Sequence, residues 1–143
     1  MTPHFKLEEF TFSSTAVRLG IDNTPSKEVI KNLQILAEGL EDVRTKLDGN
    51  SIHITSGFRC LDLNRQLHSK DSSYHVKGLA ADMSCPGYGS TDDVMRAIVS
   101  SSIEYQQCIL EFNSWIHIAF PPKGEKAKRQ AMIIDREGVK FYE

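Results

Sequence analysis

The chain lacks long hydrophobic runs and a strong net charge, and each absence excludes a class of protein. No apolar stretch approaches the ~20 residues that a membrane-spanning helix requires. The N-terminal segment MTPHFKLEEF contains no apolar signal-peptide core. A net charge of −2 provides no general attraction to nucleic acid or to anionic membranes. We therefore expect no nucleic-acid partner and no membrane insertion, and synthesis in a cytoplasm without a signal peptide.

Cysteine is also scarce. Cys60, Cys85 and Cys108 are widely spaced, odd in number and form no CxxC pair, so they indicate neither a zinc knuckle nor a disulfide framework. Repeats, low-complexity segments and internal linkers are missing as well. A chain of 143 residues with these properties is predicted to form a single domain, residues 1–143.

Hydrophobic periodicity predicts helices followed by strands. Apolar residues recur at spacings of three and four up to Leu47, which indicates an amphipathic helix with Thr24 as N-cap and Pro25 in the first position. Two shorter helices are predicted in DLNRQLH and STDDVMRAIVSSS. Strands are predicted in SIHIT, GLAADMS, QCILEF, WIHIAF and, as two strands around a tight turn, AMIIDREGVKFYE. The predicted fold class is α+β, with N-terminal helices packed on a small, mostly antiparallel sheet.

Two residues with metal-ligand chemistry flank small residues in SSYHVKGLAAD, residues 72–82. His75 falls in a predicted loop and Asp82 in a predicted strand. His117 lies in WIHIAF, and strand alternation places it on the face opposite the neighbouring isoleucines. Two imidazoles and one carboxylate could hold a metal and leave a fourth position for water, the pattern of catalytic zinc. The same donor types also form the iron(II) site of oxygenases, although the carboxylate of such sites usually follows the first histidine by two residues.

Glu111 precedes His117 in the predicted hairpin LEFNSWIH. A three-residue turn over residues 113–115 would place Glu111 opposite His117, whereas a two-residue turn would put them on opposite faces. The sequence leaves the turn length open. A carboxylate within reach of a metal-activated water can take its proton and pass it to a leaving amine, which is the chemistry of amide hydrolysis.

TSGFRC and Ser73 complete the set of candidate residues. Gly57 is expected to let the chain turn after the strand SIHIT, which places Arg59 where a strand end meets a loop. A guanidinium there could bind a substrate carboxylate or stabilise a tetrahedral oxyanion. Ser73, two residues before His75, could hold a ligand or the substrate through a hydrogen bond.

Three segments resemble the zinc D-Ala-D-Ala carboxypeptidase family of metallopeptidases. SYHVKGLAAD is similar to the family signature S-x-H-x-x-G-x-A-x-D, and TSGFRC is similar to its Ser-Gly-Tyr-Arg segment, with Phe58 in place of the tyrosine. LEFNSWIH resembles the closing Glu…Trp-x-His segment. The first part of the chain, from FKLEEF to LEDVR, resembles the branch found in bacteriophage and prophage genes.

The resemblance implies one zinc ion bound by His75, Asp82 and His117, with Glu111 as catalytic base and Arg59 stabilising the substrate or the transition state. It implies a metallopeptidase that hydrolyses peptidoglycan stem peptides or cross-links, either as an endolysin-like endopeptidase or as a D-Ala-D-Ala carboxypeptidase. A non-catalytic peptidoglycan-recognition module with the same fold is the alternative.

The same resemblance suggests where and with what the protein works. The expected partner is the peptide of bacterial peptidoglycan, and the expected state is a monomer. The protein is expected to be made in the host bacterial cytoplasm and to act at the cell wall after release. No separate cell-wall-binding domain is recognised within residues 1–143.

Overall fold

The computed structural model describes residues 1–142, in which an N-terminal helical part is followed by strands and short helices and the last four elements are strands. The helices are α1 (Leu7–Thr11), α2 (Ser14–Leu19), α3 (Lys27–Lys46), α4 (Leu61–Gln66), α5 (Tyr74–Lys77) and α6 (Thr91–Val99). The strands are β1 (His53–Ser56), β2 (Ala80–Ser84), β3 (Gln107–Glu111), β4 (Trp115–Ala119), β5 (Gln130–Asp135) and β6 (Gly138–Phe141). Glu143, the last residue of the predicted final strand, lies outside the described residues.

The strands form one sheet in the order β1-β2-β4-β3-β5-β6. β3 and β5 are parallel, and all other neighbours in the sheet are antiparallel. The predicted α+β class with a mostly antiparallel sheet is therefore confirmed. Among residues 1–142, no helix is both long and apolar enough to cross a membrane.

One face of the sheet packs on the helices and the other is open. The packed face presents buried residues of β2, β3 and β4, which join the buried side chains of α3 and α6 in one hydrophobic core; these strand residues are Ala81, Met83, Cys108, Leu110, Ile116 and Ile118. Because side chains alternate along a strand, the intervening residues point to the open face. Asp82, Gln107, Glu111 and His117 are among them, so the core orients the polar groups away from itself.

Two local predictions for α3 are wrong. The helix begins at Lys27 with Ser26 as N-cap, whose side chain accepts a hydrogen bond from the backbone N–H of Val29. The hydroxyl of Thr24 instead donates to Asp22 Oδ1 at 2.6 Å, which fixes the preceding turn and leaves the cap to Ser26. Of the apolar residues that recur at spacings of three and four, Ile30 is exposed and Val29 is half-buried. The later ones are buried as predicted; they are Leu33, Leu36, Leu40, Val43 and Leu47.

Gly78 ends α5 in the left-handed conformation, with φ 76°, against the side of α3. A Cβ at this position would lie 2.9 Å from Val29 Cγ1 and 3.3 Å from Leu33 Cγ. The sequence pattern does not predict this one-turn helix. Gly78 is therefore required by the helix end and by the contact with α3.

We predict that Gly78→Ala destabilises the fold more than Gly20→Ala. Gly20 ends α2 with φ 66°, but a Cβ there would meet nothing within 4 Å. Gly20→Ala should cost about 1–2 kcal/mol through backbone strain alone. Gly78→Ala should cost a further ~1–3 kcal/mol through overpacking against α3. Urea unfolding of both variants measures the difference, and equal losses would show that the α5–α3 contact adds nothing.

Candidate metal centre

Three predicted ligands converge on the open face of the sheet. Asp82 on β2 and His117 on β4 are direct cross-strand partners. His117 Nδ1 lies 3.2 Å from Asp82 Oδ1, and His75 Nε2 lies 3.3 Å from the same oxygen. One ligand atom from each residue lies within 4.8 Å of those of the other two. The three residues form a group that could hold a metal ion.

His75 reaches the sheet from α5, a one-turn helix where the sequence predicts a loop. Ser73 caps this short helix, because its Oγ accepts a hydrogen bond from the backbone N–H of His75 at 3.2 Å. The backbone N–H of Arg59 donates to the carbonyl of His75 at 3.1 Å. The imidazole is buried, so both its backbone and its ring are held in place.

Each histidine ring meets a hydrogen-bond acceptor on the side away from Asp82. His75 Nδ1 lies 2.7 Å from the carbonyl oxygen of Gly57, which can only accept, so Nδ1 carries a proton. Burial lowers the pKa of His75 and favours the neutral ring, whose Nε2 lone pair then faces Asp82. His117 Nε2 lies 3.2 Å from Gln107 Oε1, an amide oxygen that accepts hydrogen bonds. A proton on Nε2 therefore leaves the lone pair of Nδ1 facing Asp82.

A zinc ion fits this arrangement. Burial opposes a charge on Asp82, but the two imidazoles lower the pKa of its carboxyl well below the ordinary value, so it is a carboxylate at neutral pH. When each ring carries its proton on the nitrogen away from Asp82, the two near nitrogens and Asp82 Oδ1 are free to coordinate one cation. A cation between them would take the place of the hydrogen bonds that the imidazoles can otherwise give to Asp82. Histidine nitrogen and carboxylate oxygen are also the ligands that catalytic zinc sites use.

Gln107 and the Gly57 carbonyl are contributions that the sequence analysis missed. Gln107 pairs with Ala119 across β3 and β4, which puts it on the same face as His117. The register of the hairpin would place Gln107 beside His117, but the register depends on the turn length, which the sequence leaves open. The Gly57 carbonyl gave no sequence signal, because any residue has one.

The expected role of Gly57 is wrong. Its φ is not in the left-handed region. A Cβ would lie 2.5 Å from the carbonyl oxygen of Phe10 and 2.7 Å from Phe10 Cα. The neighbouring Phe58 N–H donates to that carbonyl at 2.7 Å. Glycine is needed for this close approach to the end of α1, and not for a turn.

Glu111 lies on the same face as His117 but is not its direct partner. The hairpin turn comprises residues 112–114, so Glu111 pairs with Trp115 and Ile109 pairs with His117. Because Glu111 is two residues from Ile109, it still points to the site. Trp115 Nε1 donates to Glu111 Oε2 at 3.2 Å. Burial, and secondly the charge of Asp82, raise the pKa of Glu111 above its ordinary value.

Arg59 follows β1 and points into the same region. Burial lowers the pKa of its guanidinium, against the attraction of the charges on Asp82 and Glu111. Its Nε is buried and has no hydrogen-bond partner within residues 1–142. An arginine keeps its charge under such conditions. The guanidinium therefore supplies a positive charge with unused donors beside the two carboxylates.

All the predicted site residues line one cleft of about 730 Å³. Trp115 also lines the cleft, rather than only packing in the core, and Ile134 of β5 forms part of its wall. Six site residues come from distant parts of the chain: Arg59, Ser73, His75, Asp82, Glu111 and His117.

Comparison with known proteins agrees with this geometry. The family model described as Peptidase M15 matches residues 3–119. The chain belongs to the peptidase M15 family. The M15 family is zinc-dependent, and the chain's membership of it supports the assignment as a metallopeptidase. No curated protein matches the chain. The predicted family is thereby confirmed, whereas the bacteriophage branch and the individual residue roles stay predictions.

We predict that Gln107→Ala weakens zinc binding about 10- to 100-fold, the usual effect of removing a hydrogen-bond partner of a ligating histidine. Gln107→Glu retains an acceptor for His117 Nε2 and should bind zinc nearly as tightly as the unchanged protein. Gln34→Ala is the matched control, since Gln34 lies on α3 outside the cleft and its Nε2 donates to the carbonyl of Met1 at 3.5 Å. Competition with a chelating dye measures the affinities. Unchanged affinity in Gln107→Ala would contradict the orienting role.

Proposed function

We propose that this M15 chain is a zinc peptidase that hydrolyses peptide bonds in bacterial peptidoglycan, as an endolysin-like endopeptidase acting at the cell wall. The observation that carries the proposal is the presence of the ligand group, a carboxylate and a guanidinium in one cleft. All of these residues lie within the segment that matches the family. Membership of the family suggests peptidoglycan as the substrate.

His75 Nε2, Asp82 Oδ1 and His117 Nδ1 would hold the zinc ion. When bound, zinc supplies a Lewis acid that polarises the substrate carbonyl and makes a water molecule more acidic. The protein contributes the fixed direction of the three ligand atoms. Gly57 and Gln107 contribute by holding the two rings in the required orientation.

Glu111 is proposed as the general base and acid. Its raised pKa lies closer to neutral pH than that of an exposed glutamate, which suits a group that must both accept and release a proton. The Trp115 indole holds Oε2 and leaves the other carboxylate oxygen for the reaction. Glu111 takes a proton from the attacking water and gives it to the nitrogen of the leaving amine.

Arg59 is proposed to stabilise the negative charge that develops on the carbonyl oxygen. It forms no ion pair among residues 1–142, although two carboxylates lie in the same cleft. Its donors are therefore available to the substrate. Ser73 has its Oγ lone pair engaged by the His75 N–H, and its hydroxyl proton remains for a substrate acceptor.

Digestion of purified peptidoglycan tests the proposal. Mass spectrometry should detect new fragments with new amino termini, which disappear when a chelator is added. Glu111→Gln should retain zinc and lower cleavage about 10²- to 10⁴-fold, because the amide cannot accept the proton. Glu104→Gln, on an exposed loop residue, is the control and should be fully active. Binding of the wall without new amino termini would instead support a recognition module, and full activity of Glu111→Gln would refute its role.

Variants of Arg59 distinguish endopeptidase from carboxypeptidase activity. For an endopeptidase, Arg59→Ala should lower kcat about 10²- to 10³-fold on wall peptides with either a free or an amidated C-terminus. Arg59→Lys should restore little, because an ammonium lacks the planar set of donors. If amidation of the terminal carboxylate abolishes cleavage by the unchanged protein, or if Arg59→Ala raises only KM, Arg59 binds a terminal carboxylate and the protein is a carboxypeptidase.

A further inference from the structure

The side chain of Asn23 contacts the backbone on both sides of Arg59. Its Nδ2 donates to the carbonyl of Phe58 at 3.1 Å, and its Oδ1 accepts from the N–H of Cys60 at 2.7 Å. The second Nδ2 hydrogen donates to the carbonyl of Thr11, at the end of α1, at 2.9 Å. One amide thus links the end of α1, the loop before α3 and the segment that carries Arg59.

We propose that Asn23 is a positioning residue for Arg59, holding the Arg59 backbone so that the guanidinium enters the cleft. The inference rests on the proposed function of Arg59. It is independent of which peptide bond is cut.

Within residues 1–142, no hydrogen bond and no ion pair aims the Arg59 head group. The direction of the guanidinium therefore depends on the position and orientation of the Arg59 backbone. Arg59 N–H itself donates to the carbonyl of His75, which ties the same backbone to a proposed zinc ligand.

No other protein group replaces Asn23. In the described part of the chain, the Phe58 carbonyl and the Cys60 N–H have no second hydrogen-bond partner. Both donors and the acceptor of the Asn23 amide are used at once. Aspartate offers only acceptors, and serine has a single donor on a shorter side chain. The site therefore selects asparagine by its chemistry.

The segment around Asn23 is itself held. Asp22 Oδ1 accepts from both the N–H and the hydroxyl of Thr24, at 3.0 and 2.6 Å. Ser26 then caps α3, which contributes to the hydrophobic core. Asn23 is therefore fixed to the core on one side and to the Arg59 segment on the other. A displacement of a catalytic group by about 1 Å can cost ~10²-fold in rate.

A double-mutant cycle tests the proposal on soluble peptides released from peptidoglycan. Asn23→Ala should lower kcat about 10- to 100-fold while the zinc content is unchanged. In an Arg59→Ala background, Asn23→Ala should change kcat by less than about twofold, since residues that act as one unit are not additive. An equal loss in both backgrounds would show a merely structural role and overturn the proposal.

Two further variants control for folding. Asn50→Ala removes an amide that donates to the carbonyl of Leu47 at 2.8 Å, at the far end of α3, and should leave kcat unchanged. Asn23→Asp keeps the acceptor for the Cys60 N–H but loses both donors, so it should retain the fold and still lose activity. Thermal unfolding of every variant fixes an assay temperature at which all are folded. Full activity of both Asn23 variants would overturn the proposal.

A measurement that does not depend on catalytic activity tests this proposal separately from the proposed function. The Arg59 Nε–H signal in a nitrogen–proton NMR spectrum is assigned by its loss in Arg59→Ala. Asn23→Ala should shift it, and Asn50→Ala should not. If the protein cuts no wall peptide but the signal shifts only in Asn23→Ala, the proposed function fails and the positioning role stands. If Arg59→Ala impairs cleavage and the signal is unmoved in Asn23→Ala, the positioning role fails alone.

Discussion

The antiparallel pairing of β2 with β4 is the constraint on which the rest of the structure depends. It sets Asp82 directly opposite His117, and the residues on either side of each face the core. A slip of either strand by one residue would turn its polar group into the core and expose its buried neighbours, such as Met83 on β2 or Ile116 on β4. The free energy of the hydrophobic core therefore fixes the geometry of the candidate metal centre. His75 is then brought to this pair by a single helical turn.

Orientation of the ligands comes from groups that would never touch the ion. The Gly57 carbonyl and the Gln107 amide each face the far nitrogen of a histidine, which leaves the near nitrogen without a proton. One atom from each of the three residues then faces a common point, where a single cation could contact all of them. Arg59 adds a positive charge to the same cleft. Glu111, whose pKa is raised above its ordinary value, lines that cleft as well. Charges of both signs are thus held close without pairing, which is expected of a site that acts on a polar bond.

Part of the cleft lies beyond the segment that defines the family. The match to peptidase M15 ends at residue 119, where β4 ends. β5 then joins the sheet parallel to β3, with Ile134 next to Glu111 in the register. Ile134 lines the cleft beside the proposed base. β5 therefore shapes the surroundings of a cleft whose proposed ligands and proposed base all lie within the family segment.

The sequence by itself determined the elements whose signal is local, and the types of residue that the chemistry needs. Periodicity revealed most of α3 and α6, and alternation placed His117 on the face opposite the core. Only the tertiary structure decided the hairpin turn at residues 112–114, the parallel position of β5, and the contact that requires glycine at position 57. It alone brought Asn23 to the Arg59 segment. The physical reason is that periodicity is contained within one segment, whereas register and close approach depend on the packing of residues far apart in the chain.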